Sequence, residues 1–232
     1  MKLEGDGVTA FEIVIQLGAL LAVVVHYRKL LAVRVAGLVA RDPRALRLLA
    51  VLLAAFVPTA VVGLAVGKTI KAHLFAPVPV AIALAVGGLA MIVLETALKS
   101  RAPTIVALEE VRPVDGFVVG LVQCLSLVPG TSRSMTTILA GRICGMSAAL
   151  AAELSFLIAL PTLGAATLYE GYKDRAALAT IGGVPLAAGM LVSFVVAFIV
   201  IGGFLRYLGS RGLAPFGVYR ILLAGVVLLV GF

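Results

Sequence analysis

Charge is scarce in this sequence, and that scarcity decides its class. Of 232 residues, 13% are charged and 62% hydrophobic, and the mean hydropathy is +1.18. Soluble globular domains carry about a quarter charged residues, so a soluble protein is excluded. Low-complexity stretches and long polar linkers are also missing, which predicts one polytopic membrane domain over residues 1–232. The two cysteines, Cys124 and Cys144, lie in apolar segments, where a thiol behaves as a small hydrophobe. The two histidines, His26 and His73, fall near connectors. No His/Cys set at ligand spacing exists, which excludes a metal centre of that kind. Lysine and arginine outnumber aspartate and glutamate 19 to 11. They are scattered among connectors without an aromatic-rich polar surface, which argues against nucleic acid and for anionic lipid headgroups. The N-terminal "MKLEGDGVTA" has one lysine, early acidic residues and no cleavage site, so no cleaved signal peptide is expected.

What the chain does have is apolar runs of membrane-crossing length, about 20 residues each. They fall at roughly 10–31, 45–66, 78–98, 148–169, 177–205 and 216–232. The predicted fold is an all-α integral membrane protein with about six transmembrane helices and inverted-repeat character. A seventh apolar stretch, 114–146, is interrupted at Pro129-Gly130. Each half is too short to span, which predicts a re-entrant hairpin surrounding a cavity, because irregular backbone at that depth needs protein or water around it. Basic residues set the orientation. Arg28, Lys29, Arg34, Arg41, Arg44 and Arg47 are counted with the connector around and after the end of the first span, Lys99, Arg101 and Arg112 with that after the third, and Arg206, Arg211 and Arg220 with that around the start of the last. Those three connectors are expected on the cytoplasmic side. Gly63/Gly67, Gly116/Gly120 and Gly141/Gly145 have the spacing of close helix contacts in lipid.

The interruption reads "LVPGTSRSMTT". Pro129 ends the first short helix, since it lacks an N–H. Gly130 permits unusual backbone angles and a close ligand approach. Thr131 or Ser132 suits the N-cap of a second helix, whose free N–H groups and dipole favour anions such as phosphate. Arg133 adds a planar donor fork matched to phosphate oxygens, and Ser132, Ser134 and Thr136 add hydroxyl donors. An arginine at mid-membrane costs several kcal/mol, which an anionic partner in a wet pocket offsets. Glu153, twenty residues after Arg133, could pair with it or hold a metal; the alternative is a carboxyl that only fixes packing. Gln16 and Gln123 suit helix glue as well as ligand contact, and Glu95 suits an interface.

The segment "GLVQCLSLVPGTSRSMTTI" strongly resembles the bacitracin-resistance family of undecaprenyl-diphosphate phosphatases. The likeness extends to "FEIVIQLGALLAVV", "AAELSFLIALPTLGAATLYEGYK" and "APFGVYRILLAG". It implies a multi-pass protein of the bacterial plasma membrane that hydrolyses undecaprenyl diphosphate to undecaprenyl phosphate, recycling the cell-wall lipid carrier and conferring bacitracin resistance. On this resemblance Ser132, Arg133 and Ser134 are catalytic; Gly130, Thr131, Thr136, Gln123 and Glu153 are substrate-binding candidates by their own chemistry and position. It further implies a divalent cation, Mg²⁺ or Ca²⁺. The expected partners are the polyprenyl diphosphate, membrane lipids and a second copy in a homodimer. Met135 stands where the family commonly has a small residue.

The likeness departs at the start. Family members carry a glutamate-rich stretch and a Ser-Ser-x-Gly-His element, thought to supply the acid/base or nucleophile and a metal ligand. The ten residues before Phe11 contain neither. A start codon upstream of Met1, or loss of half the site, is therefore expected. Phe11-x-Ile13-x-Ile15 with Gly18-Ala19 is echoed by Phe156-x-Ile158-x-Leu160 with Gly164-Ala165, as in inverted-repeat transporters. The competing expectations are a polyprenyl-phosphate carrier and a truncated or inactive homologue.

Overall fold

A computed structural model of the chain describes residues 5–98, 100–173, 175–176 and 181–230. Among them the structure is helical: α1 Gly5–His26, α2 Arg28–Val39, α3 Pro43–Leu74, α4 Pro77–Leu98, α5 Pro113–Gln123, α6 Arg133–Ile143, α7 Ala148–Lys173, α8 Gly183–Arg211 and α9 Ala214–Val230. No strand occurs among the described residues; one isolated parallel bridge joins Ile105 to Met146. By length and composition, Pro43–Gly67, Pro77–Leu98, Ala148–Lys173 and Gly183–Arg211 can cross a membrane. Ile15–His26, Pro113–Leu127 and Ala214–Val230 are shorter apolar helices. The predicted span limits at 177–180 and 231–232 lie outside the described residues.

The predicted first span, 10–31, is not continuous. Its helix stops at His26, Tyr27 turns, and α2 begins at Arg28 with none of its described residues buried. The Arg28 guanidinium donates to the Val25 carbonyl at 3.0 Å, closing the end of α1. The basic run read as a connector is therefore largely helical.

The chain divides into two compact units. One comprises the chain up to Ala40 together with Phe156–Phe204, and both halves of the sequence echo lie in it. Within it Gly18 of α1 meets α8 so closely that a Cβ would strike the Met190 carbonyl. The Ser193 hydroxyl donates to the Ile15 carbonyl at 2.6 Å, and the Thr167 hydroxyl to Gln16 Oε1 at 3.0 Å. Gln16 thus joins α1 to α7, as polar residues do between helices in lipid. His26 packs edge-on against Tyr27 and Phe198.

The other unit comprises Arg41–Ser155 and Leu205–Phe232. The "ARDPRA" signal starts α3: Asp42 caps it, accepting the Arg44 N–H at 3.4 Å, with Pro43 in the first turn. At Gly116 and Gly120, α5 lies directly on α3, where an added Cβ at either glycine would strike the Val51 or Ala55 carbonyl. Of the other two glycine pairs, Gly67 has nothing within 4 Å, and Gly145 adopts φ +91° as the helix stop after α6. There the Met146 N–H reaches the Gly141 carbonyl at 3.0 Å, the closing bond of a Schellman motif. The α5 helix starts with Pro113 and a buried Asp115, which accepts the Arg112 N–H at 2.9 Å and pairs with its guanidinium. Glu95, at the end of α4, accepts the Leu213 N–H at 3.2 Å and so caps α9 from another helix. It is an anchor at a helix start, where a carboxylate is favoured.

In the loop before α5, the Glu110 carboxylate accepts the N–H groups of Val106 at 2.8 Å and Ala107 at 3.1 Å. Those bonds hold its carboxyl below the ordinary 4.5. A lowered folded-state value stabilises the fold above the unfolded value, and the benefit is lost as pH falls through the folded one. We expect Glu110→Gln to unfold at lower temperature than wild type at neutral pH, with the gap closing on acidification. A gap constant from neutral pH down to pH about 3, below the unfolded carboxylate range, would contradict this.

Candidate functional site

The predicted break lies where the sequence placed it. After Gln123 the chain tightens into a 3-10 turn, Cys124–Leu127, and Val128 is extended, the conformation favoured before a proline. Gly130 takes φ +86°, and a Cβ there would lie 2.5 Å from the Val80 carbonyl oxygen. The backbone thus needs glycine twice, for its angle and for its contact with α4. The Thr131 N–H closes the turn on the Val128 carbonyl at 3.1 Å. Ser132 is the N-cap of α6, its Oγ accepting the Met135 N–H at 3.3 Å, while the Thr136 N–H takes the Ser132 carbonyl. The Arg133 and Ser134 N–H groups have no partner within the helix, as first-turn donors do not.

Arg133 is half-buried. Its Nη1 donates to the Ser155 carbonyl of α7 at a long 3.5 Å. Among the described residues it forms no ion pair, so most of its donor fork remains for a ligand. The hydroxyls divide into two groups. Those of Thr136 and Thr137 turn back onto the Arg133 carbonyl at 2.8 and 3.0 Å, and Thr137 Oγ1 lies 2.7 Å from Ser155 Oγ. They brace the helix start. Thr131, Ser132 and Ser134 are half-buried on the loop and first turn. The structure therefore gathers Gly130, Thr131, Ser132, Arg133 and Ser134 into one donor-rich rim.

Two other candidates lie apart from that rim. Gln123 is wholly buried, donating to Thr59 Oγ1 at 2.8 Å and tying α5 to α3. Glu153 lies half-buried on α7 two residues before Ser155. No ion pair joins it to Arg133 among the described residues. Beside the rim runs a groove of about 540 Å³ between α4, α5 and α6. Its lining is apolar, including Ile82, Val86, Leu125 and Met135, apart from Thr131 and Thr136.

One functional neighbour is not evident from the sequence pattern. Arg220, counted among the basic residues of the last connector, is buried within α9 and donates to the Gly130 carbonyl at 2.8 Å. The available signal was an arginine inside the apolar run 214–230, where ionisable groups are functional by default. Ser155 carried no comparable signal.

Among the described residues, no group of three or more His, Cys, Asp or Glu side chains converges. The rim offers donors and hydroxyls rather than carboxylates. These residues do not form the oxygen cage that a resident divalent cation takes.

The family model described as bacitracin resistance protein BacA matches residues 1–226. Among relatives, an undecaprenyl-diphosphatase of Sorangium cellulosum is 53% identical over 229 residues, covering 97% of this chain and 74% of that protein. Undecaprenyl-diphosphatase 2 of Rhodospirillum rubrum is 47% identical over 219 residues, covering 94% and 78%. An undecaprenyl-diphosphatase of Rhizorhabdus wittichii is 45% identical over 225 residues, covering 97% and 84%.

Proposed function

The chain belongs to the bacitracin resistance protein BacA family, and on that premise we infer that it hydrolyses undecaprenyl diphosphate. Water adds to the terminal phosphorus, and the bond from that phosphorus to the bridging oxygen breaks. The electron pair leaves on undecaprenyl phosphate, and orthophosphate and a proton are released. A phosphoryl transfer of this kind asks the protein chiefly for positioning and charge neutralisation.

The observation that carries the reading is the start of α6, with its first-turn N–H groups, Ser132 cap and an arginine fork that forms no ion pair among the described residues. In this reading Arg133 and the Arg133 and Ser134 N–H groups hold the terminal phosphate oxygens, and their hold strengthens as charge builds there. Ser132 and Ser134 orient the phosphate by hydroxyl contacts. Gly130 and Thr131 let it approach the backbone. The groove beside the rim takes the first isoprenoid units, since its lining offers almost nothing but alkyl surface. Gln123 contributes by holding α5 on α3. The protein works in the bacterial plasma membrane, where its substrate resides, and a divalent cation accompanies the diphosphate as a companion of the substrate's own oxygens.

The test is orthophosphate release from a polyprenyl diphosphate by the purified protein in detergent. Hydrolysis should yield polyprenyl monophosphate and orthophosphate in equal amounts. EDTA should stop it, and Mg²⁺ or Ca²⁺ should restore it. Release that is indifferent to EDTA would remove the cation from the proposal. No release at all, together with lipid translocation in liposomes, would replace hydrolysis by carriage.

A further inference from the structure

The least expected charge in the molecule is Arg220. It sits near the middle of α9 and is 8% exposed. Burying a guanidinium at such depth is costly, and among the described residues no carboxylate forms an ion pair with it. It is instead spent on backbone. Nη2 donates to the Gly130 carbonyl at 2.8 Å and reaches the Ala83 carbonyl at 3.4 Å, while Nε is buried without a partner.

The surrounding helices leave a passage for this side chain. A Cβ at Gly87 of α4 would lie 2.7 Å from Arg220 Nη2 and 2.8 Å from Met135 Cε. A Cβ at Gly88 would lie 2.6 Å from the Gly217 carbonyl of α9, and one at Gly217 would lie 2.6 Å from the Gly88 carbonyl. Glycine on both helices brings α4 and α9 together and keeps the route from α9 to the loop open.

The carbonyl that Arg220 reaches belongs to the break between α5 and α6. Exposed backbone at that depth must find a partner within the protein. The same carbonyl shares a peptide plane with the Thr131 N–H, two residues before the first helical position. Fixing that plane fixes the direction of the Ser132 cap and of the donors after it.

We propose that Arg220 is the positioning residue of the phosphate loop: it holds the Gly130 carbonyl so that the rim from Ser132 to Ser134 is preset for the diphosphate. The role does not require Arg220 to touch substrate. Its kinetic side rests on the phosphatase reading above; its structural side does not.

The experiment compares full-length wild type, Arg220→Met and Arg220→Lys in detergent by amide hydrogen exchange and by steady-state phosphate release. For Arg220→Met, exchange over residues 128–135 should rise about tenfold while the α3–α5 seam keeps its protection. The kcat should fall at least about tenfold with KM changed less than about threefold. Arg220→Lys, a single-point donor, should fall between. Gly87→Ala, which crowds the guanidinium without removing it, should also raise exchange over 128–135 and serves if Arg220→Met does not fold. Wild-type exchange over 128–135 in Arg220→Met or Gly87→Ala overturns the proposal, whatever the activity. Raised exchange with wild-type kcat and KM overturns it too. If the wild type releases no phosphate, the phosphatase reading fails, and the exchange comparison still decides whether Arg220 holds the loop.

Discussion

Arg133→Ala should cut phosphate release by about two to three orders of magnitude, the loss that follows removal of one well-placed donor to a developing oxyanion, without lowering the unfolding temperature. The two halves of that expectation have separate causes. The large kinetic effect follows from a donor fork that has no ion-pair partner among the described residues and is therefore available to substrate. The small structural effect follows from the weakness of its link to α7, a 3.5 Å contact with the Ser155 carbonyl, since Thr137 still joins α6 to Ser155 after the change. Arg133→Lys keeps the charge but loses the paired geometry, so it should recover part of the rate. An alanine variant that turns over like wild type would remove Arg133 from the site.

Gly130→Ala should damage both stability and turnover. A non-glycine residue at φ +86° carries strain of about 1–3 kcal/mol, and the new methyl group would meet the Val80 carbonyl at 2.5 Å. Relief requires the loop to withdraw from α4, which displaces the Ser132 cap two residues on. The control is Gly67→Ala in α3, where nothing lies within 4 Å. There the exchange of glycine for the better helix former should be neutral or stabilising by up to about 1 kcal/mol. Thermal unfolding and phosphate release on the pair separate the two cases. Equal behaviour of the two alanines would mean that the positive angle at 130 is not required.

The local parts of the site are legible in the amino-acid sequence. Pro129, Gly130 and Ser132 announce a stop, a turn and a cap through their own backbone chemistry, and α6 begins at Arg133 for those reasons. The distant partners are not legible there. Ser155 holds Arg133 across 22 residues of sequence, Glu95 caps Leu213 across 118, and Arg220 meets Gly130 across 90. No periodicity encodes such pairings. Counting basic residues by connector misplaces Arg220, because the count groups it with Arg206 and Arg211 although it falls inside the predicted run 216–232 and the neighbouring helices make room for it. Glycine spacing is equally ambiguous. Gly116/Gly120 seats α5 on α3, whereas the identical spacing at Gly63/Gly67 packs on little. The bend at Tyr27 is hidden because apolar residues resume at Leu30-Leu31 after Arg28-Lys29, so the run reads as one span.

The two sides of the hairpin formed by α5 and α6 are unequal. Toward α3 it is fastened by bare glycine backbone at Gly116 and Gly120 and by the Gln123–Thr59 bond; toward α4 it leaves the alkyl-lined trough. A lipid diffusing laterally within one leaflet would thus slide in past α4, and bulky substitutions at Ile82 or Val86 would throttle its arrival without disturbing the chemistry.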